Sequence, residues 1–127
     1  MPLSDTYRRD LARLQQKEAD LRKELARHED ADTKSSAEAR KKIDAANKAS
    51  SPSLAKSHYG AAERAQKKST DAKKKIAELA KKLSANAKQQ ADKKKSLDTA
   101  IRAEQKAEDR AVARRRDGHR PGADRDG

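Results

Sequence analysis

No cysteine, phenylalanine or tryptophan occurs in this 127-residue sequence, and its only aromatic residues are Tyr7 and Tyr59. Without cysteine there is no disulfide framework and no thiolate metal site, a usage that fits a reducing compartment. The hydrophobic set is 32% of the chain and much of it is alanine, which buries little area per side chain, so a wide layered core is excluded. Proline and glycine number only 3 and 4. No apolar run approaches the roughly 20 residues of a membrane span. The opening Met1, Pro2, Leu3, Ser4, Asp5 lacks the basic-then-apolar pattern of a secretory signal. These absences predict a cytoplasmic chain that does not enter a membrane.

What is present is charge, at 43% of residues, and a net of +12. Low hydrophobicity with high net charge leans towards disorder, because burial then fails to offset chain entropy. The residue types argue the other way: Ala, Lys, Arg, Glu, Gln and Leu are the best helix formers, and they fill most of the sequence. Long helices sharing a thin seam are therefore expected.

The chain divides into a lead at residues 1–3, a first helix over 4–49, a turn at 50–53, a second helix over 54–116 and a disordered tail at 117–127. Ser4 suits an N-cap, with Asp5 placing negative charge at the helix start. Ser51 and Pro52 suit the cap and first position of the second helix. In the first helix Tyr7, Leu11, Leu14, Leu21 and Leu25 form an apolar stripe. It resumes at Ala39, Ile43 and Ala46 after a stutter at Ser36. In the second, the stripe includes Leu54, Ile76, Leu79, Leu83, Gln90, Leu97 and Ile101, with an eleven-residue step through Leu54, Ala65, Ile76 and Ala87. That period implies little left-handed twist. Folding the chain back near residue 51 sets large residues against large and alanine-rich segments against each other. The fold class is thus all-α: a long antiparallel helical hairpin, a coiled coil whose second helix overhangs the first.

Acidic residues standing four positions before a base, the favourable order on a helix, include Asp5 with Arg9, Glu18 with Arg22, Glu38 with Lys42, Asp44 with Lys48, Glu63 with Lys67, Asp71 with Lys75, Glu78 with Lys82 and Asp98 with Arg102. The basic excess is uneven. Residues 1–32 hold eight acids against seven bases, and residues 33–116 hold twenty-four bases against ten acids. Candidate contacts to nucleic acid are Lys73, Lys74, Lys75, Lys93, Lys94, Lys95, Arg114, Arg115 and Arg116, in runs expected to spread around the helix instead of lining one face. Such a cationic surface attracts phosphate backbones by counterion release without reading sequence. The simpler reading of the same residues is a solvated exterior.

His28, His58 and His119 stand apart, with no metal-ligand spacing around them, so no metal or cofactor is expected. They read as surface residues, His28 doubling as a candidate polar marker in the seam. Two helices side by side do not enclose a water-excluding pocket, which predicts no catalytic residues and no small-molecule substrate. The expected function is non-enzymatic: a structural module that self-associates or docks on partner helices, using leftover apolar surface at Leu97, Ile101 and Val112. The alternative is a histone-like basic protein that coats nucleic acid.

The stretch from Leu3 to Leu25, LSDTYRRDLARLQQKEADLRKEL, with KKIAELAKKL from Lys74 to Leu83 and AKQQADKKKSL from Ala87 to Leu97, resembles the N-terminal coiled-coil region of actinobacterial multidomain proteins. The resemblance spans most of residues 3–116, and its specificity lies in the first segment. It implies a coil preceding a signalling or effector domain of the TIR or caspase-like kind, and it carries over no catalytic residue. This sequence departs from that pattern by ending at Gly127 after a polar tail, which makes it a stand-alone or truncated oligomerisation module on that comparison.

Overall fold

A computed structural model describes residues 2–118. Among them there are two elements, α1 over Leu3–Asn47 and α2 over Pro52–Gly118. They comprise 45 and 67 residues, and the helices pack against each other as an antiparallel hairpin with α2 the longer. The ends differ from expectation by one or two residues, the usual fraying scale. Asp117 and Gly118 continue α2 where a tail was expected, and residues 119–127, His119 among them, lie outside the described residues.

Local chemistry accounts for the turn. The Ser51 hydroxyl accepts the Leu54 N–H at 3.2 Å and the Ser51 carbonyl accepts the Ala55 N–H at 3.0 Å. Ser51 is therefore the expected N-cap, and Pro52 occupies the first helical position, where a missing N–H costs nothing. The C-terminus of α1 tightens as Ala49 donates to the Ala46 carbonyl at 3.2 Å. No positive-φ residue occurs among the described residues, so this helix ends without a left-handed cap.

The start of α1 is built differently from the expected Ser4 cap. The helix begins at Leu3, and Ser4 is a buried first-turn residue, 3% exposed. Its N–H and hydroxyl both turn to Glu104 of α2, which does for this helix end what a local cap does elsewhere.

Burial fixes the seam. Along α1 a run of shielded positions comprises Ser4, Tyr7, Leu11, Leu14, Glu18, Leu21, Leu25, His28, Asp32, Ser35, Ala39, Lys42 and Ala46, in alternating steps of three and four, with Asp5, Asp10, Ser36 and Ala45 half-buried beside it. Along α2 the corresponding run is Ala55, His58, Ala62, Ala65, Ser69, Ala72, Ile76, Leu79, Leu83, Asn86, Gln90, Lys93, Leu97, Ala100, Glu104 and Ala111, with Gly60, Ala61 and Ser96 half-buried beside it. Both sets keep a strict seven-residue repeat, which corrects the stutter at Ser36 and the eleven-residue step. The eleven-residue pattern came from following apolar residues alone. Polar residues hold several seam positions: Ser69 is 0% exposed and Asn86 is 2%.

Ala87, placed on the apolar stripe by the eleven-residue step, is exposed, and three of the twelve large stripe residues also lie outside it. Ile43 is 43% exposed, Leu54 46% and Ile101 38%. Each stands one position away from the seven-residue register held by Lys42, Ala55 and Ala100. The other nine large apolar stripe residues, Tyr7, Leu11, Leu14, Leu21, Leu25, Ile76, Leu79, Leu83 and Leu97, are buried or half-buried.

Candidate interaction surfaces

The chain comprises two compact units: Gln16–Ala87, which contains the turn, and Met1–Gln15 with Lys88–Gly127. In the first, Leu21 and Leu79 are the large buried apolar side chains, and the rest of the dry strip is alanine: Ala39, Ala46, Ala62, Ala65 and Ala72. Small side chains at these sites present little bulk between two backbones, while each buries less area than a leucine.

A polar layer interrupts this strip. The fully buried Ser69 hydroxyl donates to the Asp32 carboxylate. Ser36 donates to the same oxygen at 3.2 Å, and the two hydroxyl oxygens lie 3.0 Å apart. The Ser69 hydrogen bond holds the Asp32 carboxyl below its ordinary value, burial opposes it, and the Ser36 bond and the charge of Lys73 add to the lowering. Sequence reading missed this layer because it set Asp32 and Ser36 aside as a polar stretch. The available signal was the position of Asp32 on the seven-residue repeat running back to Leu25, Leu11 and Ser4; Ser36, one turn further on, is off that repeat.

Beside this layer, Glu24, Arg27, His28, Ala31, Lys75, Glu78, Leu79 and Lys82 line an open hollow of about 480 Å³. His28 is half-buried at a seam position, as is His58, which had been read as a surface residue. Nearer the turn, a more apolar hollow of about 360 Å³ is lined by Ala39, Ile43, Tyr59, Ala62, Glu63 and Gln66. Tyr59 is 46% exposed. Its ring borders that hollow, and its hydroxyl donates to Asn47 Oδ1 at 2.6 Å.

In the second unit, Glu104 Oε2 accepts the Ser4 N–H at 3.0 Å and Oε1 accepts the Ser4 hydroxyl at 2.6 Å. The Ser4 hydroxyl bond, then its backbone bond, hold the Glu104 carboxyl below its usual range against the opposing effect of burial, and Arg8 adds a smaller pull. Lys93, one of the candidate nucleic-acid contacts, is half-buried at a seam position. Its ammonium lies 3.1 Å from Asp10 Oδ2 and 5.3 Å from the Tyr7 ring centroid. The half-buried side chain is committed to the seam by an ion pair and a cation–π contact.

The remaining candidate cations, Lys73, Lys74, Lys75, Lys94, Lys95, Arg114, Arg115 and Arg116, are exposed. Arg115 lies 3.4 Å from Glu108. Of the eight expected four-residue pairs, Glu18–Arg22 closes, at 2.8 Å; Asp30–Lys34, a ninth pair of the same spacing, closes at 3.2 Å. Asp5 takes Arg8 instead of Arg9, at 3.1 Å, and Lys75 stands 3.8 Å from Glu78 instead of pairing with Asp71. The acids of α1 are thus better matched than the lysines of α2. Among the described residues no group of three or more His, Cys, Asp or Glu gathers to hold a metal ion. No helix there is long and apolar enough to cross a membrane.

Compared with protein-family models, with curated proteins and with solved structures, the chain matches none.

Proposed function

We propose that this chain is a non-enzymatic association module, an antiparallel two-helix coiled coil that binds a second copy of itself or a partner helix in the cytoplasm. The observation that carries the reading is a mismatch between the inside and outside of the hairpin. Only Leu21 and Leu79 are large apolar side chains in the buried set, whereas Leu3, Ile43, Leu54, Tyr59, Ile101 and Val112 stand 38–55% exposed. A helical pair with so thin a strip is marginal alone, and mass action stabilises whatever assembly covers the rest.

Ile43 and Tyr59 supply one such surface, bordering the hollow near the turn. Ile101 and Val112 supply another on α2, each one position from the register held by Ala100 and Ala111. The alternation of three and four supports the coiled-coil description, because this repeat lets each side chain of one helix settle among four of the next. The absence of cysteine supports a reducing location.

Sedimentation velocity with circular dichroism over a wide dilution series tests the proposal. Association predicts a sedimentation coefficient and a melting temperature that both rise with concentration, and a weaker rise for Ile43→Glu. A concentration-independent monomer with unchanged helicity would overturn it.

A further inference from the structure

The seam register assigns a face to the lysine-rich part of α2. Ser69, Ile76 and Leu83 recur every seven residues on the shielded side. Lys67, Lys74 and Lys81 recur at the same interval, displaced by two positions, and all three are exposed. They form one line on the outer side of the helix, although each consecutive run spreads around it. Lys68, Lys75 and Lys82 make a second exposed line about 100° away, as consecutive residues must on a helix of 3.6 residues per turn. Between the two lines stand Arg64, Asp71 and Glu78.

Residues 64–82 hold eight lysines or arginines against two acids, and little of this charge is neutralised. Within the segment Lys75 and Glu78 approach to 3.8 Å. Lys67, Lys68, Lys74, Lys81 and Lys82 make no ion pair among the described residues. Along α2 the step of seven continues in sequence at Lys88, Lys95 and Arg102.

We propose that this line of lysines binds the sugar-phosphate backbone of double-stranded nucleic acid without reading its sequence. Successive members are about 10.5 Å apart along the axis, close to the roughly 12 Å width of the duplex major groove. Flexible ammonium stems set at that interval reach phosphates on the two sides of a groove. The occupant follows from what the face carries and what it omits. No aromatic side chain stands among residues 64–82 to stack an unpaired base, which disfavours single strands. Arg64 is the one guanidinium there, so bidentate readout of guanine edges is not built in. No apolar side chain lies between the two lines to enter a bilayer, the feature that anchors an interfacial helix. The inference does not rest on the association reading, since the line is distinct from the exposed apolar residues.

Fluorescence anisotropy of the full chain with two labelled duplexes of unrelated sequence tests it. Neutralising about four phosphates predicts equal affinity for both duplexes and a loss on the order of 100-fold between 50 and 200 mM salt. The triple variant Lys67→Gln, Lys74→Gln, Lys81→Gln should bind at least about tenfold more weakly at 50 mM and flatten the logarithmic salt slope by about 2.7. A charge-matched control, Lys17→Gln, Lys23→Gln, Lys106→Gln, alters exposed cations off the line and should change affinity less than about threefold. Circular dichroism checks that both variants keep their helicity, as glutamine's helix propensity predicts. The proposal falls if neither duplex binds at 50 mM, if the control loses as much affinity as the line variant, or if anionic vesicles bind while duplex does not.

Discussion

Glu104 holds Ser4 with both carboxylate oxygens, one taking the backbone N–H at 3.0 Å and the other the hydroxyl at 2.6 Å. The contact joins residues 100 positions apart and places a negative group on the positive end of α1, where N–H groups have no partner within the helix. Glu104→Gln replaces one acceptor with an NH2 group aimed at a donor. The expected outcome is a lower melting temperature and faster amide exchange in the first turn of α1. A variant melting with the wild type would show that the contact contributes nothing to stability.

Asp32 and Glu104 give the fold a directional response to acid. Both carboxyls lie below their ordinary values in the folded chain. The stability they contribute is therefore complete above the unfolded value of about 4 and is lost as pH falls through the folded values. Thermal melts followed between pH 7 and pH 2 should show the transition falling on the acid side of pH 5. The double variant Asp32→Asn, Glu104→Gln should start lower at pH 7 and show a shallower fall. An acid dependence as steep as that of the unaltered protein would place its origin in other carboxylates.

Leu79 is 4% exposed and one of only two large apolar residues in the buried set. Leu79→Ala should cost about 2–3 kcal/mol, towards the lower part of the range for leucine truncation, because the neighbouring side chains border solvent and can relax. Leu54→Ala, at a residue 46% exposed, should change monomer stability by less than about 0.5 kcal/mol. Urea unfolding at low protein concentration separates the two.

Gly60 offers a gain. It lies within α2, it has no positive φ, and an added Cβ would meet Arg64 Nη1 at 3.6 Å, an ordinary contact. Gly60→Ala should therefore stabilise the helix by about 0.5–1 kcal/mol through lower unfolded-chain entropy. The same urea measurement checks the sign.

The helical hairpin and the position of its turn were legible because propensity, caps and punctuation agree at Ser51 and Pro52. The large seam residues were legible too, since Leu21, Leu25, Ile76, Leu79 and Leu83 announce a face by spacing alone. Between them the apolar signal fails. Ala72 and Ala77 have the same side chain, yet Ala72 is buried and Ala77 exposed, and only the phase of the repeat separates them. Ser69 and Asn86 carry no hydrophobic signal at all. Their burial follows from a partner across the seam for Ser69, which no reading along one strand of sequence reveals.

The Tyr59–Asn47 hydrogen bond closes a loop of only 12 residues, whereas Ser4–Glu104 closes one of 100. Loop closure becomes entropically dearer as the logarithm of its length. Nucleation is therefore cheapest at the bend, and each layer formed there shortens the free loop left for the next. Folding should run as a zipper from Pro52 outward. The Ser4–Glu104 clasp then acts last, as the fastener that holds the open end shut.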